Sequence, residues 1–194
     1  DPIGSRGLGD VYKRQHNYVA QVLVLFLRAI GLSVTYEPTN IFAELRPPDG
    51  QGLDFRRPDI LVHNPYGGGR KVIIEVAITA TNGQTRNSHY DTTRPLKVRY
   101  DQKIQKYANA AQALGYRLIP CVMSYAGQIH YAIEDFVRGQ IRQKIQIADG
   151  QDDPIKLKAT VKHWFQQMSA AVNREASRNV IRKASQITDK LSLD

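Results

Sequence analysis

Two acidic residues stand where an apolar strand would ordinarily exclude them. Asp59 opens the run Asp59-Ile-Leu-Val-His63, and Glu75 lies inside Val72-Ile-Ile-Glu-Val-Ala-Ile78. Burying an unpaired carboxylate in such a run is costly, so each acid needs a partner or a task. The two runs are joined by Asn64-Pro-Tyr-Gly-Gly-Gly69, which has the glycine content of a hairpin turn. If the turn centres on Gly67, Asp59 and Glu75 lie eight residues from it on either side. They would then be cross-strand neighbours on one face, with Cβ atoms about 5 Å apart. Like charges at that distance repel unless a cation lies between them. Two hard carboxylate ligands, with room for water and a substrate phosphate, are what Mg²⁺ uses. The competing reading has one carboxylate neutralised by a nearby base such as Arg57, or Glu75 on a register that faces water.

A base follows on a helix. Lys103-Ile-Gln-Lys106-Tyr107 falls in a helical pattern over Leu96–Leu114, with Ile104, Tyr107, Ala111 and Leu114 on one apolar face. On a helical wheel Lys103 borders that face, and Lys106 points about 60° further out. Lys103 can therefore lay its stem along apolar surface and reach back toward the strands. An ammonium placed there can position a water and offset charge on a phosphoryl transition state. Lys106 reads as a solvated charge or a phosphate contact.

The elements that must hold these groups are legible in outline. His16–Ile30 has a helical apolar face, ended by Gly31, and Ser33–Glu37 is β-prone up to Pro38. Asn40–Arg57 and Thr79–Pro95 read as long irregular loops, the second of them mobile. Arg117–Ser124 reads as a strand interrupted or ended near Pro120. The row Ile133, Val137, Ile141, Ile145 and a long pattern from Val161 to Leu191 predict two C-terminal helices, with Trp164 and Phe165 as packing residues. The order predicts an α/β core followed by a helical extension.

Composition narrows the class. Of 194 residues 42% are hydrophobic and 23% charged, so the chain can bury a core and is not a disordered polymer. Lys and Arg number 27 against 18 acids, a net charge of +9 that favours polyanionic partners. The longest apolar run, Val19–Ile30, is broken by Gln21 and Arg28 and is too short for a membrane span. One cysteine, Cys121, excludes a disulfide framework and a multi-cysteine zinc site, and suits a reducing, intracellular compartment. The five histidines have no ligand spacing, and neither a nucleophile elbow nor a P-loop is present. From Pro154 onward eight bases face three acids, and Arg174, Arg178 and Arg182 recur at near-helical spacing. That stripe is either a phosphate-tracking face or a solvated helix surface.

Residues 1–15 stand apart. Asp10-Val-Tyr-Lys-Arg-Gln15 matches the translation of a transposase end sequence used in preparing sequencing libraries. The stretch is therefore expected to be a disordered adapter scar on a fragment whose upstream part is missing. Residues 16–131 are expected to form the core and 132–194 a basic helical extension.

Taken together, Arg57-Pro58-Asp59, Glu75-Val76-Ala77, Lys103-x-x-Lys106-Tyr107, Pro120 and Gly127 resemble the PD-(D/E)XK restriction-like endonucleases. They are most similar to the version at the C-terminus of site-specific LINE-type (non-LTR) retrotransposon proteins, and His16-Asn17 resembles a short stretch of the same family. The resemblance spans roughly residues 16 to 131. It implies a restriction-endonuclease-like fold and metal-dependent nicking of DNA. Asp59, Glu75 and the Val76 carbonyl would hold Mg²⁺ or Mn²⁺, and Lys103 would orient water. Arg57, Lys106 and Tyr107 would meet nucleic acid. It also implies a nuclear location, with RNA reached through the upstream part. Ala77 stands where the parent pattern has a lysine; the retrotransposon branch supplies that lysine from the next helix. The pattern has a lysine at both Lys103 and Lys106 and leaves the choice between them open. The alternative is a DNA-binding module on the same fold whose chemistry has been lost.

Overall fold

The computed structural model describes residues 2–42, 57–79 and 93–191, with side chains described for 13–42, 57–79, 93–174 and 177–178. The elements run α1 (Pro2–Ala29), β1 (Val34–Tyr36), β2 (Ile60–Val62), β3 (Val72–Thr79), α2 (Arg94–Ala113), β4 (Arg117–Ser124), α3 (Tyr131–Asp149) and α4 (Pro154–Leu191). They form a mixed α/β fold around a four-stranded sheet of order β1-β2-β3-β4. The first three strands are antiparallel neighbours, and β4 lies parallel to β3 after the crossover through α2.

Alternation along the strands sorts side chains between two helical layers. Ile60, Val62, Val72, Ile74, Val76, Ile119, Cys121 and Met123 face the layer of α1, α3 and α4 in one large apolar cluster. Leu61, Ile73, Ala77 and Val122 face α2, in two small clusters closed by Ala111 and Leu96. Glu75 shares the parity of Ile73 and Ala77, so the sheet itself aims it at α2.

The turn between β2 and β3 fixes the register. Gly67 and Gly68 both adopt positive φ (90° and 68°), which a side chain would strain. The ladder Ile60↔Ile74, Leu61↔Ile73, Val62↔Val72 is centred on Gly67, as the spacing of the acids required.

Three expectations need correction. Residues 2–15 are helical and continuous with α1, and Gln15 is buried. A helix docked from Gln15 onward extends upstream without a new nucleation step. Residue 131 is no boundary in the packing either. Ile133 to Ile145 of α3 and Leu157 to Val172 of α4 belong to the same cluster as α1 and the sheet. Finally, β4 runs unbroken through Pro120. Arg117 N–H bonds inward to the Lys71 carbonyl, so by alternation the Pro120 nitrogen points to the open edge, where no donor is needed. Most of both long loops, residues 43–56 and 80–92, lies outside the described residues. Among the described residues no helix is long and apolar enough to cross a membrane.

Candidate active site

Strand β2 pairs only from Ile60, while β3 continues past it. One step further, the register would set Asp59 opposite Glu75, but Asp59 lies just outside the strand. With no strand left to accept it, the Val76 N–H is taken by Asp59 Oδ2 at 2.7 Å. The same oxygen lies 3.1 Å from His16 Nε2 on α1. His16 Nδ1 is in turn 3.1 Å from Asn17 Oδ1, so both ring nitrogens face acceptor oxygens, which suits the imidazolium. Burial works against that charge, but the Asp59 carboxylate and Asn17 outweigh it and lift His16 above its ordinary range. The Asp59 backbone is tied as well, its carbonyl accepting the Glu37 N–H at 2.7 Å.

Glu75 is only 2% exposed. Lys103 Nζ donates to its Oε2 at 3.0 Å, and the Tyr107 hydroxyl also bonds the carboxylate. Burial first, and then the Asp59 charge, push the Glu75 carboxyl above the usual glutamate range; Lys103 and Tyr107 pull the other way. Its second oxygen, Oε1, is buried without a hydrogen-bond partner. An orphaned carboxylate oxygen in such a place is unfavourable unless something else meets it.

These groups form a hard oxygen set. The Val76 carbonyl points to the same strand edge as its N–H, and hence toward Asp59. Among the described residues no three His, Cys, Asp or Glu side chains close on one point. Two carboxylates and a carbonyl could therefore hold a cation only with water or substrate filling its other positions. That ligand count fits Mg²⁺, which keeps several waters and uses one or two carboxylates.

The structure brings together Asp59, Glu75, Val76 and Lys103, and sorts the other expected residues differently. Lys103 faces the sheet with its side chain 16% exposed, and Lys106 is exposed, 5.2 Å from the Tyr107 ring centroid. Tyr107 was expected at a nucleic-acid surface; it is 6% exposed and belongs to the Glu75 pocket instead. The reason is helical phase, since Tyr107 follows Lys103 by one turn on the buried side. Arg57 is exposed and pairs with Glu37, not with Asp59. Arg174 lies elsewhere, over the Tyr18 ring where α4 meets α1. Arg178 is exposed further along α4, and the Arg182 side chain is outside the described residues. His16 is the residue that spacing rules missed. It reaches Asp59 across 43 positions of sequence, and its one signal is the His16-Asn17 similarity. No family model matches this chain, and no curated protein matches it.

Proposed function

We propose that this chain is a metal-dependent endonuclease that nicks DNA by phosphodiester hydrolysis, with a restriction-endonuclease-like core. The observation that carries the reading is the Asp59–Glu75 pair at the end of the β2–β3 ladder, with Asp59 on the Val76 N–H, one Glu75 oxygen orphaned and Lys103 3.0 Å from the other. Asp59, Glu75 and the Val76 carbonyl would hold Mg²⁺ or Mn²⁺. Bound there, the ion would polarise the scissile phosphate and lower the pKa of an attacking water. The chain's own residues do the rest. His16 and the Val76 N–H fix the Asp59 carboxylate, while Tyr107 fixes Glu75. Lys103 holds the nucleophilic water and offsets charge growing on the phosphoryl oxygens. Lys106 and Arg57 place positive charge at the rim for flanking phosphates, and Arg174, Arg178 and Arg182 offer a second basic strip along α4. By the family resemblance, the larger protein would nick chromosomal target DNA in the nucleus and prime reverse transcription from the freed 3′ hydroxyl. RNA would be engaged by its upstream part.

The test is nicking of supercoiled plasmid with Mg²⁺ or Mn²⁺. Activity is expected in the wild type and absent in Asp59→Ala and Glu75→Ala; activity unchanged in either variant excludes this site.

One observation favours a second reading, a DNA-binding module without chemistry. Lys103 already neutralises Glu75 directly, as a structural ion pair would. That reading expects salt-dependent DNA binding indifferent to divalent ions. Calorimetric titration with Mg²⁺ separates the two: a nuclease binds the ion, and Asp59→Asn weakens that binding.

A further inference from the structure

Three aromatic rings are stacked in a row at the start of α3. Tyr100 of α2 and His130 lie 4.2 Å apart at an interplanar angle of 11°. Tyr131 follows, 4.4 Å from His130 and tilted by 31°. The inner rings are locked in place. His130 is 5% exposed; its Nδ1 accepts the Ala132 N–H at 3.3 Å as the cap of α3. Its own backbone N–H bonds the Val122 carbonyl at 2.9 Å. Burial, with Lys97 nearby, holds its ring below the ordinary imidazole range and so uncharged at neutral pH. Tyr100 packs on Ala77, Leu96 and Val122.

The outermost ring is different. Tyr131 is 67% exposed, so it contributes little to the core and leaves a face open to solvent. The first turn of a helix favours acidic or polar groups, not an aromatic ring in water. A ring backed by a held neighbour, with its other side toward solvent, is a surface on which a planar apolar group can stack.

Its place in the fold says which planar group. Val122 pairs with Ala77, two residues past Glu75 on the same face of β3. That is about 7 Å along the strand, so the inner end of the row, where Tyr100 packs on Ala77, lies near Glu75. Tyr100 also lies one turn before Lys103 on α2. The row of rings therefore begins, at Tyr100, near the carboxylate pair, with Tyr131 at its far end. The chain carries a net charge of +9, which draws in polyanions whose bases are planar and apolar. A base within an intact duplex is already stacked on both faces and cannot offer one to a tyrosine.

We propose that Tyr131 is a stacking platform for an unpaired nucleobase of a strand whose scissile phosphate lies at the carboxylate pair, so that the preferred substrate is DNA that is single-stranded or opened near that phosphate. The inference rests on the nuclease reading for that phosphate, and on the ring geometry alone for the base. The test uses a single-stranded oligonucleotide carrying a fluorescent purine analogue, in chelator to prevent cleavage. The wild type should quench the analogue, and Tyr131→Phe and Tyr131→Trp should retain the quenching. Tyr131→Ala should lose it and bind about five- to a hundred-fold more weakly. Quenching by Tyr131→Ala equal to wild type, or Tyr131→Phe as weak as Tyr131→Ala, overturns the platform. A wild type that never nicks yet shows Tyr131-dependent quenching would remove the nuclease reading and leave the platform standing. A wild type that does not quench removes the platform and leaves the nicking assay as the test of the site.

Discussion

The two faces of the sheet are built for opposite purposes. Toward α1, α3 and α4 the buried side chains of the strands are apolar, and they join a cluster that includes Trp164, Phe26, Leu23 and Met168. Toward α2 the apolar contacts break into two small groups, one around Ile73 and one around Ala77. Between Ile73 and Ala77 on β3 sits Glu75, with Lys103 and Tyr107 above it. The larger apolar cluster lies on one face and Glu75 with Lys103 and Tyr107 on the other, while His16 of α1 reaches Asp59 at the strand end. A buried carboxylate is tolerable where its surroundings supply hydrogen bonds, and the larger core can offset what it costs.

The comparison breaks most visibly at Trp164. It is fully buried, 5.0 Å from Phe165 and 6.1 Å from Phe26 between ring centroids. Trp164→Ala should cost about 3–5 kcal/mol in urea unfolding. Leu96→Ala, on the α2 face, should fall toward the lower end of the roughly 2–5 kcal/mol range for such truncations. Equal losses would mean that the two faces share the load.

On the polar face the largest effect is expected in rate. Lys103→Met keeps the apolar stem and removes the charge. Nicking should fall on the order of a hundred-fold, with DNA affinity in a binding titration nearly unchanged. If Lys106→Met abolishes nicking instead, the phase of α2 over the carboxylates is not the one described.

Next comes the pH dependence of stability. Burial, and then Asp59, hold the Glu75 carboxyl above its ordinary value of 4.5, against the pull of Lys103. The folded chain thus binds this proton more tightly than the unfolded chain, and stability falls as pH rises through the window between the two values. In metal-free buffer, the stability of the wild type relative to Glu75→Gln should decline from about pH 4.5 upward and then level off. A rise instead, over the pH range below 4.5, would show that Lys103, and not burial, governs the site.

The smallest effect sharpens the boundary of the polar face. Lys106 is exposed, so Lys106→Ala should weaken DNA binding modestly and equally across sequences. The slope of log affinity against log salt should shrink by about one ion. An unchanged slope would place Lys106 outside the DNA contact.

How much of this was written in the chain follows from the range of each interaction. The nearness of Asp59 and Glu75 could be counted from Gly67, because strand side chains alternate and a tight turn fixes the register. The approach of Lys103 could be read from a wheel, because helical phase is local and Lys103 borders its own apolar stripe. Tyr107 lay within the same local information: the apolar stripe pointed it inward, and only the family resemblance placed it against nucleic acid. The strand through Pro120 was hidden because an edge is a property of the sheet, not of the segment.

The sequence alone therefore determined the spacing of the acids, the facing of the lysine and the apolar stripes of the helices. Those depend on backbone geometry with periods of two and 3.6 residues. Only the tertiary structure decided that His16 would grip Asp59 from α1. It also decided that α3 and α4 join the core, and that Tyr100, His130 and Tyr131 stack in a row. Each of these joins separate elements, and their meeting is set by how the layers pack around the sheet, which no local period encodes.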